Sequence, residues 1–320
     1  MLLSRVAERM YWFGRYCERA ENTARLVNVN ANLLLDLPGM VKHIWADTIN
    51  ITGVADMFYK KYSRADERNV IKFMLADLVN PGSIASSVKL AREDARTTRE
   101  IIPAEAWEKI NEFHIYVKKN VDKALKREGR HKFLTNVIDY CNQITGLLFG
   151  SMSHGEPYHF IRIGRNLERA DMTTRIVDVG CINLLQDQPD IPDAFDNMLW
   201  MTVLRSLSAY QMYRQNVPDR VNGEDVVEFL LKDKQFPRSV YHCLGEMETC
   251  FQELPLHDQP LRSVTHTKRM VNEASISKLL EKGLHEFIDQ VQIDFGEIHN
   301  NVAQTWFGQT VEQGQEQKQA

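Results

Sequence analysis

The sequence predicts an all-α protein: an elongated multi-helix bundle made of two homologous helical repeats in a pseudo-two-fold arrangement. Three observations predict it. Apolar residues recur at helical spacing almost end to end. Only 16 glycines and 10 prolines occur in 320 residues, and most fall between the periodic stretches. One 16-residue segment occurs twice, 150 residues apart.

The helical stretches fall near 4–36, 41–60, 66–78, 82–101, 103–126 and 132–150, then near 157–187, 193–216, 223–233, 238–254, 259–274 and 276–307. No segment combines strict alternation with the turn chemistry of a strand. Residues 309–320 are Gln-rich and polar, and a disordered tail is expected there. The expected organisation is a first repeat over 1–150 and a second over 151–308, packed as one domain.

The repeat is clearest in GRYCERAENTARLVNV (14–29) and GRNLERADMTTRIVDV (164–179), which share nine of sixteen positions without a gap. Further on, Trp45 aligns with Trp200 at an offset of 155, and residues 69–84 align with 225–240 at 156. Pro103 aligns with Pro260 at 157. An offset that grows slowly is what small loop insertions after a duplication produce.

Composition narrows the function classes. The chain is 43% hydrophobic and 26% charged, as globular proteins are. A net charge of −4 argues against a general nucleic-acid binder. Five cysteines, an odd number without a CxxC pair, argue against a disulfide framework and for a reducing compartment. No run approaches the roughly 18 apolar residues of a membrane span. The opening MLLSRVAER carries charges where a signal peptide needs apolar residues. A cytoplasmic protein without a membrane partner is expected.

On a helical wheel the repeated segment carries two codes. Met10, Phe13, Cys17, Ala20, Ala24, Val27 and Ala31 follow a 3-4-3-4 spacing, as do Phe160, Ile163, Leu167, Ala170, Thr174, Val177 and Cys181. Those are packing seams. Roughly opposite lies a charged stripe of Arg15, Glu18, Arg19, Asn22 and Arg25, extended by Glu8 and Tyr11. Its counterpart carries Arg165, Glu168, Arg169 and Arg175. A merely solvated stripe should diverge fastest between copies. Both copies instead keep three arginines and one glutamate in register.

Two readings of the stripe stay open. In the structural one, Glu18 pairs with Arg15 and Arg25 on its own helix, or the stripe forms an interlayer ion network that fixes register. In the other, six arginines against two glutamates form a site for a phosphate or peptide carboxylate. Glu18 and Glu168 are then the candidates for acid or base work. Arg92, Arg96 and Arg99 lie on one helix face and join the candidate ligand-binding residues if the three stripes converge. The plain alternative for them is a solvated face shared with Glu93, Asp94 and Glu100.

These residues resemble a known family. MLLSRVAERMYWFGRYCERAENTARL, FIRIGRNLERADMTTRIVDV, and AREDARTTRE followed by Trp107 and Asn111 are similar to the signatures of the bacterial Alpha-E proteins. The resemblance spans most of the chain. Cys17 stands where a larger aliphatic residue is usual, and His154–His159 departs from the expected lead-in. The resemblance implies an all-helical fold and partners, an ATP-grasp protein and a transglutaminase-like protein, in a system that makes, modifies or cleaves peptide-like amide bonds. It supplies no activity for this component. The signature residues map onto Glu18–Arg19 and Glu168–Arg169.

Other motifs carry less. HGEPYH (154–159) has metal-capable side chains, but Pro157 fits a helix start. His285-Glu286 lacks the second histidine of HExxH. There is no GxxxxGK[ST], GxGxxG or GxSxG. No metal and no cofactor is expected. The five tryptophans read as core or interface anchors. The sequence favours a non-catalytic partner or scaffold with an Arg/Glu-lined site for a peptide or anionic metabolite. An enzyme acting on an acyl-phosphate or peptide, and a purely structural network, are the alternatives. Homo-oligomerisation stays open.

Overall fold

The computed structural model describes residues 2–36, 41–185 and 193–308. The expected tail at 309–320 lies outside them. Among the described residues every regular element is helical. In chain order they are α1 (Ser4–Asp36), α2 (Val41–Ile51), α3 (Ala55–Lys61), α4 (Glu67–Leu75), α5 (Ile84–Thr97), α6 (Ala104–Ala124) and α7 (Arg127–Ser151). There follow α8 (Glu156–Leu185), α9 (Asp193–Ser206), α10 (Tyr210–Asn216), α11 (Gly223–Lys232), α12 (Val240–Gln252), α13 (Asp258–Glu273), α14 (Ile276–Glu281) and α15 (Leu284–Val302), with a π-helical turn over Ala303–Phe307.

Three stretches expected to be continuous are broken. Residues 41–60 divide at Gly53 (φ 68°), 193–216 at Ser208 (φ 54°) and 276–307 at Gly283 (φ 101°). A left-handed residue turns the chain out of the helix. At the second break Ala209 N–H returns to Leu204 O at 2.7 Å, closing the end of α9. Serine pays for the left-handed conformation that glycine adopts freely, so nothing in its identity announced the break. α7 also begins five residues earlier than expected, at Arg127 rather than near 132.

Local chemistry sets the other helix starts. Asp66 and Asn222 accept the N3 amides of α4 and α11, from Asn69 and Asp225, both at 2.9 Å. Ser83 and Ser239 do the same for α5 and α12, both at 3.1 Å. Such caps satisfy helix-end donors that have no intrahelical partner. Phe58 of α3 meets Phe73 of α4 edge-on at 5.1 Å, and Tyr213 of α10 meets Phe229 of α11 edge-on at 5.7 Å.

The centre of the fold is the pair α1 and α8, which run side by side in the same direction. Gly14 and Gly164 make the crossing. A Cβ on Gly14 would lie 2.3 Å from the Ile161 carbonyl oxygen, and one on Gly164 would lie 2.1 Å from that of Tyr11. Only glycine allows backbones this close. α5 and α7 pack on α1, while α12 and α15 pack on α8; α6 and α13 complete the two outer layers. The seams are buried as expected, apart from Cys17 and Ala31, which are half-buried. Trp45, Trp200 and Trp306 are buried, and Trp306 donates to Pro255 O at 2.9 Å. Trp12 and Trp107 are partly buried against the core.

Candidate functional site

The charged stripes of α1 and α8 meet each other. Glu18 and Glu168 take their partners from other elements, contrary to the Glu18–Arg15 and Glu18–Arg25 pairings expected from spacing, while Arg25 and Arg175 each pair with a carboxylate four residues back on their own helix. Arg19 grips Glu168 with a two-pronged contact, Nε to Oε1 at 2.5 Å and Nη2 to Oε2 at 2.8 Å. Arg169 grips Glu18 likewise, Nε to Oε1 at 2.9 Å and Nη2 to Oε2 at 2.7 Å. Planar guanidinium and planar carboxylate match in this geometry.

Each glutamate has a second arginine. Arg15 Nε donates to Glu168 Oε2 at 2.7 Å. Arg238, in the loop before α12, donates from Nη1 to Glu18 Oε1 at 2.9 Å and to Asn22 Oδ1 at 2.7 Å. Its Nη2 reaches Glu21 Oε1 at 2.5 Å. Glu21 in turn takes Arg25 Nε at 2.8 Å, and Arg25 Nη1 donates to Ser208 Oγ at 2.6 Å. Arg175 pairs with Asp171 at 3.0 Å and lies against Gly53, where an added Cβ would come within 2.5 Å of its Nη1. The left-handed residues that end α2 and α9 thus each receive an arginine from a central helix.

The electrostatics follow from burial and partners. Burial alone pushes both carboxyls up, but Arg169 and Arg238 outweigh it at Glu18, and Arg19 and Arg15 at Glu168; each is held at about 2. Three N–H donors occupy each carboxylate. Such a group stays ionised across the physiological range and has no basicity to offer a substrate. A hydrogen-bonded chain extends from Arg15 Nη1 to the Tyr11 hydroxyl at 3.1 Å and on to His299 Nδ1 at 2.8 Å. Burial and then Arg15 lower His299 to about 4, so its ring is neutral at physiological pH and shares one hydrogen bond with the Tyr11 hydroxyl.

The stripe members differ in one respect. Arg15, Arg19, Arg25, Arg169 and Arg175 all have a carboxylate partner. The Nε of Arg165 is buried and has no hydrogen-bond partner. Burial and the neighbouring Arg169 lower its affinity for its proton.

The third basic stripe lies apart from this network. Arg92 Nε donates to Asn111 Oδ1 at 2.7 Å, and its guanidinium covers the Trp107 ring at 5.7 Å. Those contacts give the AREDARTTRE–Trp107–Asn111 pattern a structural purpose, joining α5 to α6. Arg96 pairs with Glu93 on its own helix, and Arg99 is exposed. Asp94, expected on a solvated face, is buried and takes Arg9 at 2.7 Å.

The histidine motif is dispersed. His154 stacks on Tyr158 at 4.0 Å and contacts Phe149 O, while Glu156 accepts the Leu2 amide at 2.8 Å. Elsewhere Asp178, His285 and Asp289 bring ligand-type atoms within 4.8 Å of one another, but His285 turns its two ring nitrogens to different carboxylates.

Arg238, Glu21, Asp171 and His299 are participants that sequence reading missed. An acidic residue four before Arg25 and Arg175, in both copies of the segment, was the available signal for Glu21 and Asp171. Arg238 aligns with Gly82, and a lone arginine opposite a glycine gives no signal.

A Glu-Arg pair on each of the two central helices is thus the organising feature, and the comparison with known families agrees. A family model described as a predicted alpha-helical domain with a conserved ER motif, Alpha-E, matches residues 2–307. The chain belongs to the Alpha-E family. Uncharacterised proteins of Mycobacterium bovis and Mycobacterium tuberculosis are similar to it, at 25% identity over 312 residues, covering 91% of this chain and 34% of theirs. The Alpha-E chain therefore spans about a third of the length of these relatives. No solved structure matches it. Among its described residues no helix is long and apolar enough to cross a membrane.

Proposed function

We propose that this Alpha-E chain is a non-catalytic partner or scaffold subunit of a cytoplasmic ATP-grasp-dependent system that makes or modifies peptide or amide bonds. The observation that carries the non-catalytic part is the saturation of Glu18 and Glu168. Each carboxylate accepts three arginine N–H groups and is held at about 2. The ER motif is then a clamp between two helices. The much greater length of the mycobacterial relatives supports a module that works beside other chain. The ATP-grasp and transglutaminase-like partners come from the family resemblance.

We also read the chain as two copies of one unit, 1–150 and 151–308. Support comes from the reciprocal grips Arg19–Glu168 and Arg169–Glu18, and from caps at Asp66 and Asn222 and at Ser83 and Ser239. In this reading the crossing of α1 and α8 lies on the axis that relates the copies.

Co-expression with the ATP-grasp protein followed by size-exclusion chromatography tests the partner role. Co-elution, with no peptide-bond turnover by the isolated chain, is expected. Turnover by the isolated chain that disappears in a folded Glu18→Gln or Glu168→Gln protein would establish an enzyme instead.

A further inference from the structure

The two halves of the arginine network are not equivalent, and the difference isolates one residue. Around Glu168 the arginines are Arg15 and Arg19, both from α1. Around Glu18 they are Arg169, from α8, and Arg238, from the loop before α12. Arg165 aligns with Arg15 but makes no corresponding bond. Arg238 has taken the place on Glu18 that Arg165 would fill, and Gly82 stands at the aligned position in the other half. The displaced residue is nevertheless an arginine, half-buried, with its Nε sealed from water and unbonded.

Two further cations flank it, and the carboxylate that offsets them in part, Glu18, makes no bond to it. Tyr158, Arg162, Arg165 and Arg169 follow one another at i, i+4, i+7 and i+11 along one face of α8. Arg162 is committed to Glu246 of α12, and Arg169 to Glu18. Both nearby carboxylates are bonded elsewhere, and the central cation has no ion pair of its own. A buried donor left unmade is costly, and a buried charge more so, unless a partner arrives. Only the Nε is sealed; the two Nη groups of Arg165 make no hydrogen bond, and such a pair takes an oxyanion with two parallel hydrogen bonds.

We infer that Arg165, flanked by Arg162 and Arg169, is the binding point for an oxyanion of a small molecule or peptide, a phosphate or a carboxylate. This deepens the preceding reading, on which it rests for a peptide or activated-acyl ligand within the amide-bond system. It moves the ligand from the ER motif itself to the one stripe arginine that the ER clamp leaves free.

The test is thermal unfolding of the full chain titrated with inorganic phosphate and, separately, with acetate, each against sodium chloride at equal ionic strength. The expected result is a saturable rise in Tm with one or both oxyanions beyond the chloride control. Arg165→Gln should weaken the apparent affinity by about tenfold or more, while the exposed control Arg5→Gln leaves it unchanged. A response to phosphate alone assigns a phosphate-type ligand, and one to acetate alone a carboxylate. In chloride buffer, Arg165→Gln should melt at or above the parent temperature, because it removes an uncompensated charge. If that variant does not fold, Arg165→Lys, which keeps the charge but loses the fork, should respond more weakly than the parent. No response beyond chloride, or an undiminished one in the Arg165 variant, overturns the proposal. So does an Arg165→Gln Tm loss in chloride as large as that of Arg169→Ala. Failure here leaves co-elution with a partner untouched, so the two ideas fail separately.

Discussion

Replacing Glu18 by glutamine changes two atoms' charge and little volume, so its cost reports the clamp itself. The carboxyl is held at about 2 against an ordinary 4.5. That difference corresponds to about 3 kcal/mol of folding stability at neutral pH. Removing one partner of a buried pair costs about 3–5 kcal/mol in other proteins, by leaving cations uncompensated. Here Arg169 and Arg238 would both be left, and a glutamine amide would turn a donor toward one of them. For a chain of 320 residues, an unfolding entropy of about 2.1 cal/mol/K per residue converts 3–5 kcal/mol into a Tm loss of about 4–7 °C. Calorimetry at pH 7 measures it, with far-UV circular dichroism to show that the helices persist. Glu93→Gln, which touches only the solvent-facing Arg96 pair, should move Tm by no more than about 1 °C. A Glu18→Gln protein as stable as the parent would refute the clamp.

Acid stability should fall in two stages. His299 is lowered from 6.5 to about 4. The unfolded chain therefore binds its proton first, and the associated stability is complete above pH 6.5 and lost as pH falls toward 4. Glu18 and Glu168 contribute fully above 4.5 and lose their contribution as pH falls toward 2. Between pH 6.5 and 4 the stability of the parent should fall more steeply than that of His299→Gln, and above and below that window the two curves should run parallel; a parallel fall from pH 6.5 to 4 would contradict the His299 assignment. Gly14→Ala and Gly164→Ala force a methyl onto a backbone oxygen and should each cost at least about 2 kcal/mol in urea unfolding. Gly146→Ala, on α7 with nothing within 4 Å, should stabilise by up to about 1 kcal/mol. Burial holds the Cys181 and Cys243 thiols up to about 12, so both should resist a thiol reagent at pH 8 until the chain is unfolded.

The helical class and the two central helices were legible because their seams repeat at 3-4 spacing over many turns, and a wheel reads such spacing directly. Ala20 and Ala170 sit in the seam, while Glu18, Arg19, Glu168 and Arg169 lie off it, as the wheel requires. A wheel gives direction but not destination. It showed that the charged stripe faces something, and it could not show that each stripe faces the other. Hence the Glu18–Arg15 pairing suggested by spacing gave way to Glu18–Arg169. Arg238 was hidden because it arrives from a loop 220 residues away from Glu18. Ser208 was hidden because serine does not favour the left-handed turn it makes there, which the bond from Ala209 N–H to Leu204 O closes.

Glu168–Arg19 and Glu18–Arg169 couple α1 directly to α8. A double-mutant cycle measures this without reference to any ligand: Arg19→Ala, Glu168→Ala and both together, unfolded in urea at pH 7. A favourable coupling of at least about 1.5 kcal/mol is expected, with each single substitution costing several times an exposed pair. Additive losses, with a coupling near zero, would show that the Arg19–Glu168 pair does not clamp α1 to α8.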